Sequence, residues 1–207
     1  MKLNVPLVLQ RPDRGDCGPA CVAMVMSYYG LDISIPKINS ELNRDYKKGM
    51  NAPEIGLYLV SNQFDAGIIT FNAGAFVKSD ELCGAERFLS IIQESKNYLK
   101  KRADCFEDFI AMGGKVKLKV PTLDDIVFEI KAGRPLIANM TNRFMFAKKD
   151  PHFNEHYCVI TGIDDKFVYV NDPFYKRREC GHNDFLFGLY AKTSRSIGCF
   201  ITVEENL

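Results

Sequence analysis

The hydrophobic period of this chain changes once, and that change limits the fold more than any other feature. Up to about residue 134 most apolar residues recur at helical spacing, whereas from Pro135 onward they fall into strand-length, period-two segments. Residues 135–140, 157–163, 167–170 and 197–203 read as strands, with Asp184 to Tyr190 a helix before the last. Helices followed by an antiparallel sheet describe an α+β fold. With 207 residues, 46% of them hydrophobic, the chain can bury a full core, so one domain spanning 1–207 is expected.

The helical part divides at its own punctuation. Pro19 suits a first helical turn, and Val22, Val25, Met26 and Tyr29 recur behind it until Gly30 supplies a left-handed stop. Ser34 before Ile35-Pro36 is an N-cap for a short helix ending near Asn43, and Pro53 opens another. Residues 67–71 read as a strand. A long helix over Glu81 to Lys101, with a stripe of Leu82, Ala85, Leu89, Ile92 and Leu99, precedes a piece around Phe106, Phe109 and Ile110 that stops at Gly113-Gly114. Lys115 to Val120 alternates lysine with apolar residues, the pattern of a half-buried strand protected from edge pairing. Thr122 caps a further helix that Gly133 closes.

Bulk properties remove several functions. Lys and Arg total 27 against 26 Asp and Glu, so no net field draws the chain to nucleic acid or an acidic membrane. No run reaches membrane-spanning length and the start lacks a signal-peptide pattern, so a cytoplasmic location is expected. Seven scattered cysteines, an odd number, imply reduced thiols rather than a disulfide framework. Neither Cys17 with Cys21 nor Cys180 with His182 has paired zinc spacing, so no metal or cofactor is expected. Oligomeric state is left open.

The chemistry concentrates at Asp16-Cys17-Gly18-Pro19-Ala20-Cys21. A cysteine at the mouth of a helix meets unpaired backbone N–H groups and the positive end of the macrodipole, both of which favour thiolate. Cys21, one turn on, reads as core. The only bases available are His152, His156 and His182. His156 opens the strand His156 to Ile163, and the next strand ends in Val170-Asn171-Asp172-Pro173. With Asp164 and Asp165 as the turn, Ile163 faces Lys166 and His156 faces Pro173, one step from Asp172. An acid beside the imidazole would orient it, giving a Cys-His-acid triad of Cys17, His156 and Asp172. Each residue alone also fits a structural role, Asp172-Pro173 being an ordinary strand-ending turn.

On these motifs the chain resembles the bacteriocin-processing cysteine peptidases, which clip double-glycine leader peptides and are often fused to ABC exporters, and their stand-alone relatives in the papain-like superfamily. The resemblance runs through Gln10, Asp16 to Cys21, Tyr28-Tyr29-Gly30, His156-Tyr157-x-Val159-x-Thr161-Gly162 and Val170 to Pro173, and more weakly through residues 54–71 and 123–139. It implies a papain-like α+β fold, with the nucleophile on the N-terminal helical half and His and Asp on a C-terminal antiparallel sheet. It also implies Cys17 as nucleophile, His156 as base, Asp172 as orienting acid and Gln10 as an oxyanion-hole donor. No transporter or nucleotide-binding segment accompanies these motifs, so cleavage coupled to export within one chain is not expected. Residues 72–120 look like a helical insertion where substrate choice would lie.

The expected activity is cleavage of a peptide or amide bond in a peptide or protein substrate, through an acyl-enzyme. The same intermediate can pass to an amine or deamidate glutamine. A non-catalytic peptide-binding module and a zinc-stabilised structural domain are the alternatives from other classes.

Overall fold

The computed structural model describes residues 1–12, 15–72, 75–95, 100–141, 155–191 and 198–205. They form helices α1 (Cys17–Tyr28), α2 (Ile35–Glu41), α3 (Ala52–Ser61), α4 (Ala85–Glu94), α5 (Ala103–Ala111), α6 (Leu123–Lys131) and α7 (His182–Tyr190). The strands are β1 (Phe64–Thr70), β2 (Lys115–Leu118), β3 (Leu136–Met140), β4 (His156–Ile163), β5 (Phe167–Asp172), β6 (Lys176–Gly181) and β7 (Cys199–Glu205). They make one sheet in the order β2-β1-β7-β3-β4-β5-β6. Every neighbouring pair is antiparallel except β1 and β2. The sheet is therefore more than a C-terminal one, because β1 and β2 come from the helical part and extend it past β7.

Period-two alternation sorts the strands between two apolar layers. Ile137, Tyr157, Val159, Ile201 and Val203 face the layer that holds α1, α3, α4 and α5. Leu136, Ala138, Met140, Cys158, Ile160 and Phe200 join Ile126, Ile130, Phe185 and Leu189 of α6 and α7. All eight residues of β4 are buried, as a strand covered on both faces must be. Helix α1 is buried at every position from Gly18 to Met26 and packs on β4. An all-apolar helix of this kind has no solvated face, so its N-terminal tip is held by the core itself.

Most elements match the sequence reading. Ser34 caps α2 by accepting the Lys37 N–H at 3.3 Å, and Gly30, Gly113 and Gly133 take left-handed φ at helix ends. At Thr122 the direction differs: Asp125 accepts both the Thr122 N–H and its hydroxyl. Lys115-Val116-Lys117 does lie on an edge strand, with its lysines exposed.

The long helix expected over 81–101 is shorter. Leu82 takes a left-handed φ of 60°, is exposed, and donates its N–H to the Leu118 carbonyl, so the helix starts only after Gly84 and ends at Glu94. Its buried face is Phe88, Ile91 and Ile92, so of the expected stripe Ile92 is buried and Leu89 packs partly buried against the core, while Leu82 lies outside the helix. Residues Lys96, Leu99 and Ile197 lie wholly or partly in expected elements but outside the described residues.

Strand β6 was not expected, because Lys176-Arg177-Arg178-Glu179 has no apolar alternation; it is an edge strand, exposed along these four residues. Within 72–120, Phe76, Phe88, Phe106 and Phe109 belong to the same apolar cluster as Val22 and Val25.

The packing of that segment gives a test with an inverted sign. Gly56 lies inside α3, where alanine normally stabilises by about 1 kcal/mol. Here a Cβ would sit 2.6 Å from the Phe109 ring. Gly56→Ala is expected to destabilise by about 1–3 kcal/mol in urea denaturation; a stabilised variant would show that Phe109 does not seat on α3.

Candidate active site

Cys17 is the first residue of α1 and is partly exposed, at the tip of an otherwise buried helix. His156 begins β4 and Asp172 ends β5, and both are buried. The hairpin brings them together: His156 Nε2 lies 3.0 Å from Asp172 Oδ1. The register differs by one residue from the count made on sequence. The turn is two residues longer, pairing Ile163 with Val168, and a bulge between Ile160 and Gly162 takes one back, so Val159 faces Asn171. Gly162 is needed at the bulge, since a Cβ there would meet the Met1 carbonyl oxygen at 2.5 Å.

Asp172 also serves the turn. Its Oδ1 accepts the N–H groups of Phe174 at 2.8 Å and Tyr175 at 2.9 Å, and the hairpin closes through Lys176 in a left-handed conformation. The structural and functional roles proposed for this aspartate are thus compatible, because one oxygen accepts from both the turn and the imidazole. Burial disfavours its charge, yet the hydrogen bond and charge of His156, with the two turn N–H groups, hold its pKa below the ordinary carboxylate value.

The Cys17 thiol also acts on the imidazole. Burial alone would discourage its protonation, but Asp172 and Cys17, through hydrogen bonds and charge, push its pKa up to about 10. Burial likewise opposes a thiolate at Cys17. The His156 hydrogen bond and charge, with the N–H groups of Tyr157 and Gly18, outweigh it and lower the thiol pKa. The other cysteines for which a shift is resolved go up, burial leading in each case: Cys21 and Cys158 well above the ordinary value, Cys105 to about 12, Cys180 to about 11, and Cys83 by less. Cys17 is set apart by its hydrogen-bond donors. None of the seven cysteines is in a disulfide, and among the described residues no three or more His, Cys, Asp or Glu side chains are grouped to hold a metal ion.

Gln10 is buried and its N–H donates to the Pro173 carbonyl at 2.8 Å, which ties it beside the Asp172 turn. Its buried amide oxygen has no hydrogen-bond partner among the described residues. His182 is elsewhere. It opens α7 next to Gly181, which pairs with Phe167, whereas Asp172 pairs with Lys176 at the opposite end of β5. Five strand steps, about 16 Å, separate the two ends. His152 lies outside the described residues.

One set of residues escaped the sequence reading. Asp16 is fully buried and receives Arg11 Nε at 2.6 Å and Asn39 Nδ2 at 2.9 Å. Arg44 binds the Asn39 side-chain oxygen at 2.5 Å and the carbonyls of Gly15 and Lys48. The available signal was an acid directly before the cysteine with an arginine five residues earlier.

The fold is shared with the peptidase domain of Streptococcus ComA, a bifunctional ABC transporter involved in a quorum-sensing pathway, at 18% identity and a TM-score of 0.55 over 98% of this chain and 100% of that one. It is also shared with a double-glycine-motif protease from an AMS/PCAT transporter, in complex with the leader peptide, at 14% identity and a TM-score of 0.50 over 99% and 94%. No curated protein matched. The expected papain-like α+β fold is the one found, and residues 2–195 match one family's profile nearly end to end: the chain belongs to the Peptidase C39 like family.

Proposed function

We propose that this protein is a cysteine peptidase that cleaves a peptide or amide bond with Cys17, His156 and Asp172. The observation that carries the reading is the contact of one buried imidazole, His156, with the Asp172 carboxylate at 3.0 Å, His156 being also the group that lowers the Cys17 pKa. Nε2 is engaged by Asp172, which leaves Nδ1 to exchange a proton with sulfur. The resting pair is thiolate and imidazolium, since the thiol pKa is lowered and the imidazole pKa raised. The thiolate attacks the substrate carbonyl carbon, and the C–O π electrons move to oxygen. The Cys17 N–H at the helix mouth and the Gln10 side-chain amide stabilise that oxyanion. His156 then protonates the leaving nitrogen as the C–N bond breaks, giving a thioester. Water, deprotonated by His156, hydrolyses the thioester and restores the thiolate.

The substrate is an extended peptide. A structural relative described in complex with a leader peptide supports that class. Residues 72–120 act as an insertion that contributes to selectivity: Arg102 and Phe106 line the same small hollow as Tyr157, next to His156. An acyl-enzyme passed to an amine, or formed from a glutamine side chain, would use the same groups.

The pH dependence follows from the two shifts. Thiolate forms below the ordinary thiol value of 9.0, and the imidazolium persists until about 10. Iodoacetamide is therefore expected to label Cys17 ahead of the other six cysteines at about pH 6, read by peptide mass spectrometry. His156→Ala removes the hydrogen bond and charge that lead in lowering the thiol pKa, so labelling at that pH is expected to fall about tenfold or more. Equal labelling of all seven cysteines in the wild type would overturn the catalytic reading.

Asp172 separates orientation from folding. Asp172→Ala strips the acceptor from His156 and two turn N–H groups, an expected loss of about 3 kcal/mol in chemical denaturation. Asp172→Asn keeps an acceptor for the turn but not the charge. It is expected to cost less stability while drawing the alkaline limit of peptide cleavage, which needs the imidazolium to protonate the leaving nitrogen, down from about 10 toward the ordinary imidazole value of 6.5. An unchanged alkaline limit would remove Asp172 from the mechanism.

A further inference from the structure

Asp16 stands at the N-cap of α1 yet does not cap it. An N-cap aspartate normally accepts the N–H of the second or third helical residue. Here the third is Pro19, which has none, so the one N–H within ordinary capping reach is that of Gly18. The Asp16 side chain makes no capping hydrogen bond, its backbone has φ −94° and ψ 6° rather than the extended N-cap geometry, and its carboxylate is turned into the protein. There it meets Arg11 Nε at 2.6 Å and Asn39 Nδ2 at 2.9 Å. Arg44 fixes which way the Asn39 amide points by donating to its oxygen, and ties the same loop through the carbonyls of Gly15 and Lys48. Gly15 packs against this loop with no room for a side chain, since a Cβ there would lie 2.6 Å from the Lys48 carbonyl oxygen.

We propose that Arg11, Asn39 and Arg44 are positioning residues that hold the Asp16 carboxylate off the mouth of α1, leaving the Cys17 and Gly18 N–H groups to the sulfur and the reacting carbonyl oxygen. The inference rests on the catalytic reading of Cys17. Its physical content is a competition for one donor. The Gly18 N–H that now supports the Cys17 sulfur is the one a released Asp16 would take. A capping carboxylate would also bring a second negative charge beside the thiolate, and like charges disfavour ionisation. The other titratable or charged groups that act on Cys17 are His156, Tyr157 and Cys158 on β4, Cys21 one turn along α1 and Arg44 from the loop after α2. None of them competes for the Gly18 N–H in the way Asp16 can.

The test is the rate of Cys17 alkylation by iodoacetamide between about pH 5 and pH 10, with far-UV circular dichroism to confirm folding. In Arg11→Gln the profile is expected to move up by about one pH unit, a roughly tenfold loss of rate on its acidic limb. Adding Asp16→Ala removes both the charge that Arg11 restrains and the competing acceptor, and is expected to return the profile to within about threefold of wild type. General loosening of the loop would not be rescued by a second substitution in it. Asn39→Ala removes the other tether, is expected to shift the profile in the same direction, and carries the test if Arg11→Gln does not fold. A wild-type Cys17 with no acidic reactivity would overturn the catalytic reading and this inference with it. A reactive wild type whose tether variants overlay it, or a double variant as impaired as the single one, would overturn the inference alone.

Discussion

The arrangement depends on keeping a carboxylate and an imidazole charged where water does not reach them. Two ions taken out of water are tolerated only when hydrogen bonds replace hydration, and Asp172 Oδ1 receives three: one from the imidazole and two from the backbone of its own turn. The turn that ends β5 thus supplies solvation that the core removes. β4 imposes the complementary constraint. Both its faces are covered, so His156 cannot turn to solvent, and the groups described around it are Asp172 and Cys17. Fold and site are in this sense one problem, solved by where a hairpin stops.

Helix α1 extends the same logic to the nucleophile. A helix apolar on every side is fixed by packing all along its length, and a sulfur on its first residue inherits that rigidity without needing a rotamer lock of its own. Helical geometry also directs unpaired N–H groups toward the sulfur. The neighbouring acid would satisfy them at a typical helix start, and the Arg11 and Asn39 contacts turn it aside. The local rule for capping is broken at the position where the proposed chemistry has another use for the donors.

What was legible in the sequence tracks how local the determining physics is. Ser34, Gly30 and Gly133 signal helix ends because their effect acts on adjacent residues, and those ends stand where expected. The pairing of His156 with Asp172 was legible because a hairpin is also local, even though the count missed both a longer turn and a bulge; the two errors nearly cancel. β6 was not legible, since an edge strand of lysine and arginine is held by the backbone of β5 rather than by apolar side chains. Nor was the Asp16 network, whose members at positions 11, 16, 39 and 44 meet only after α1 and α2 pack together. The helix over 81–101 failed through tertiary contact: Leu82 gives its N–H to Leu118, the last residue of β2, and adopts a conformation no helix contains.

The segment between β1 and β2 bears on how such a scaffold changes substrate without changing chemistry. Its aromatic residues stack inward, Phe76 on Phe88 with ring centroids 5.5 Å apart and Phe88 edge-on to Phe106 at 5.0 Å, so it is part of the main core rather than an appendage. At the same time β2 joins the sheet beside β1, four strands away from β4, while Arg102 and Phe106 reach back to the hollow beside Tyr157. A segment anchored at the far edge of the sheet and touching the residue next to His156 can vary its inner surface without disturbing the hairpin that places the imidazole. In the function proposed above, selectivity and catalysis draw on different contacts: one on side chains packed from the 72–120 segment, the other on groups at the ends of α1, β4 and β5.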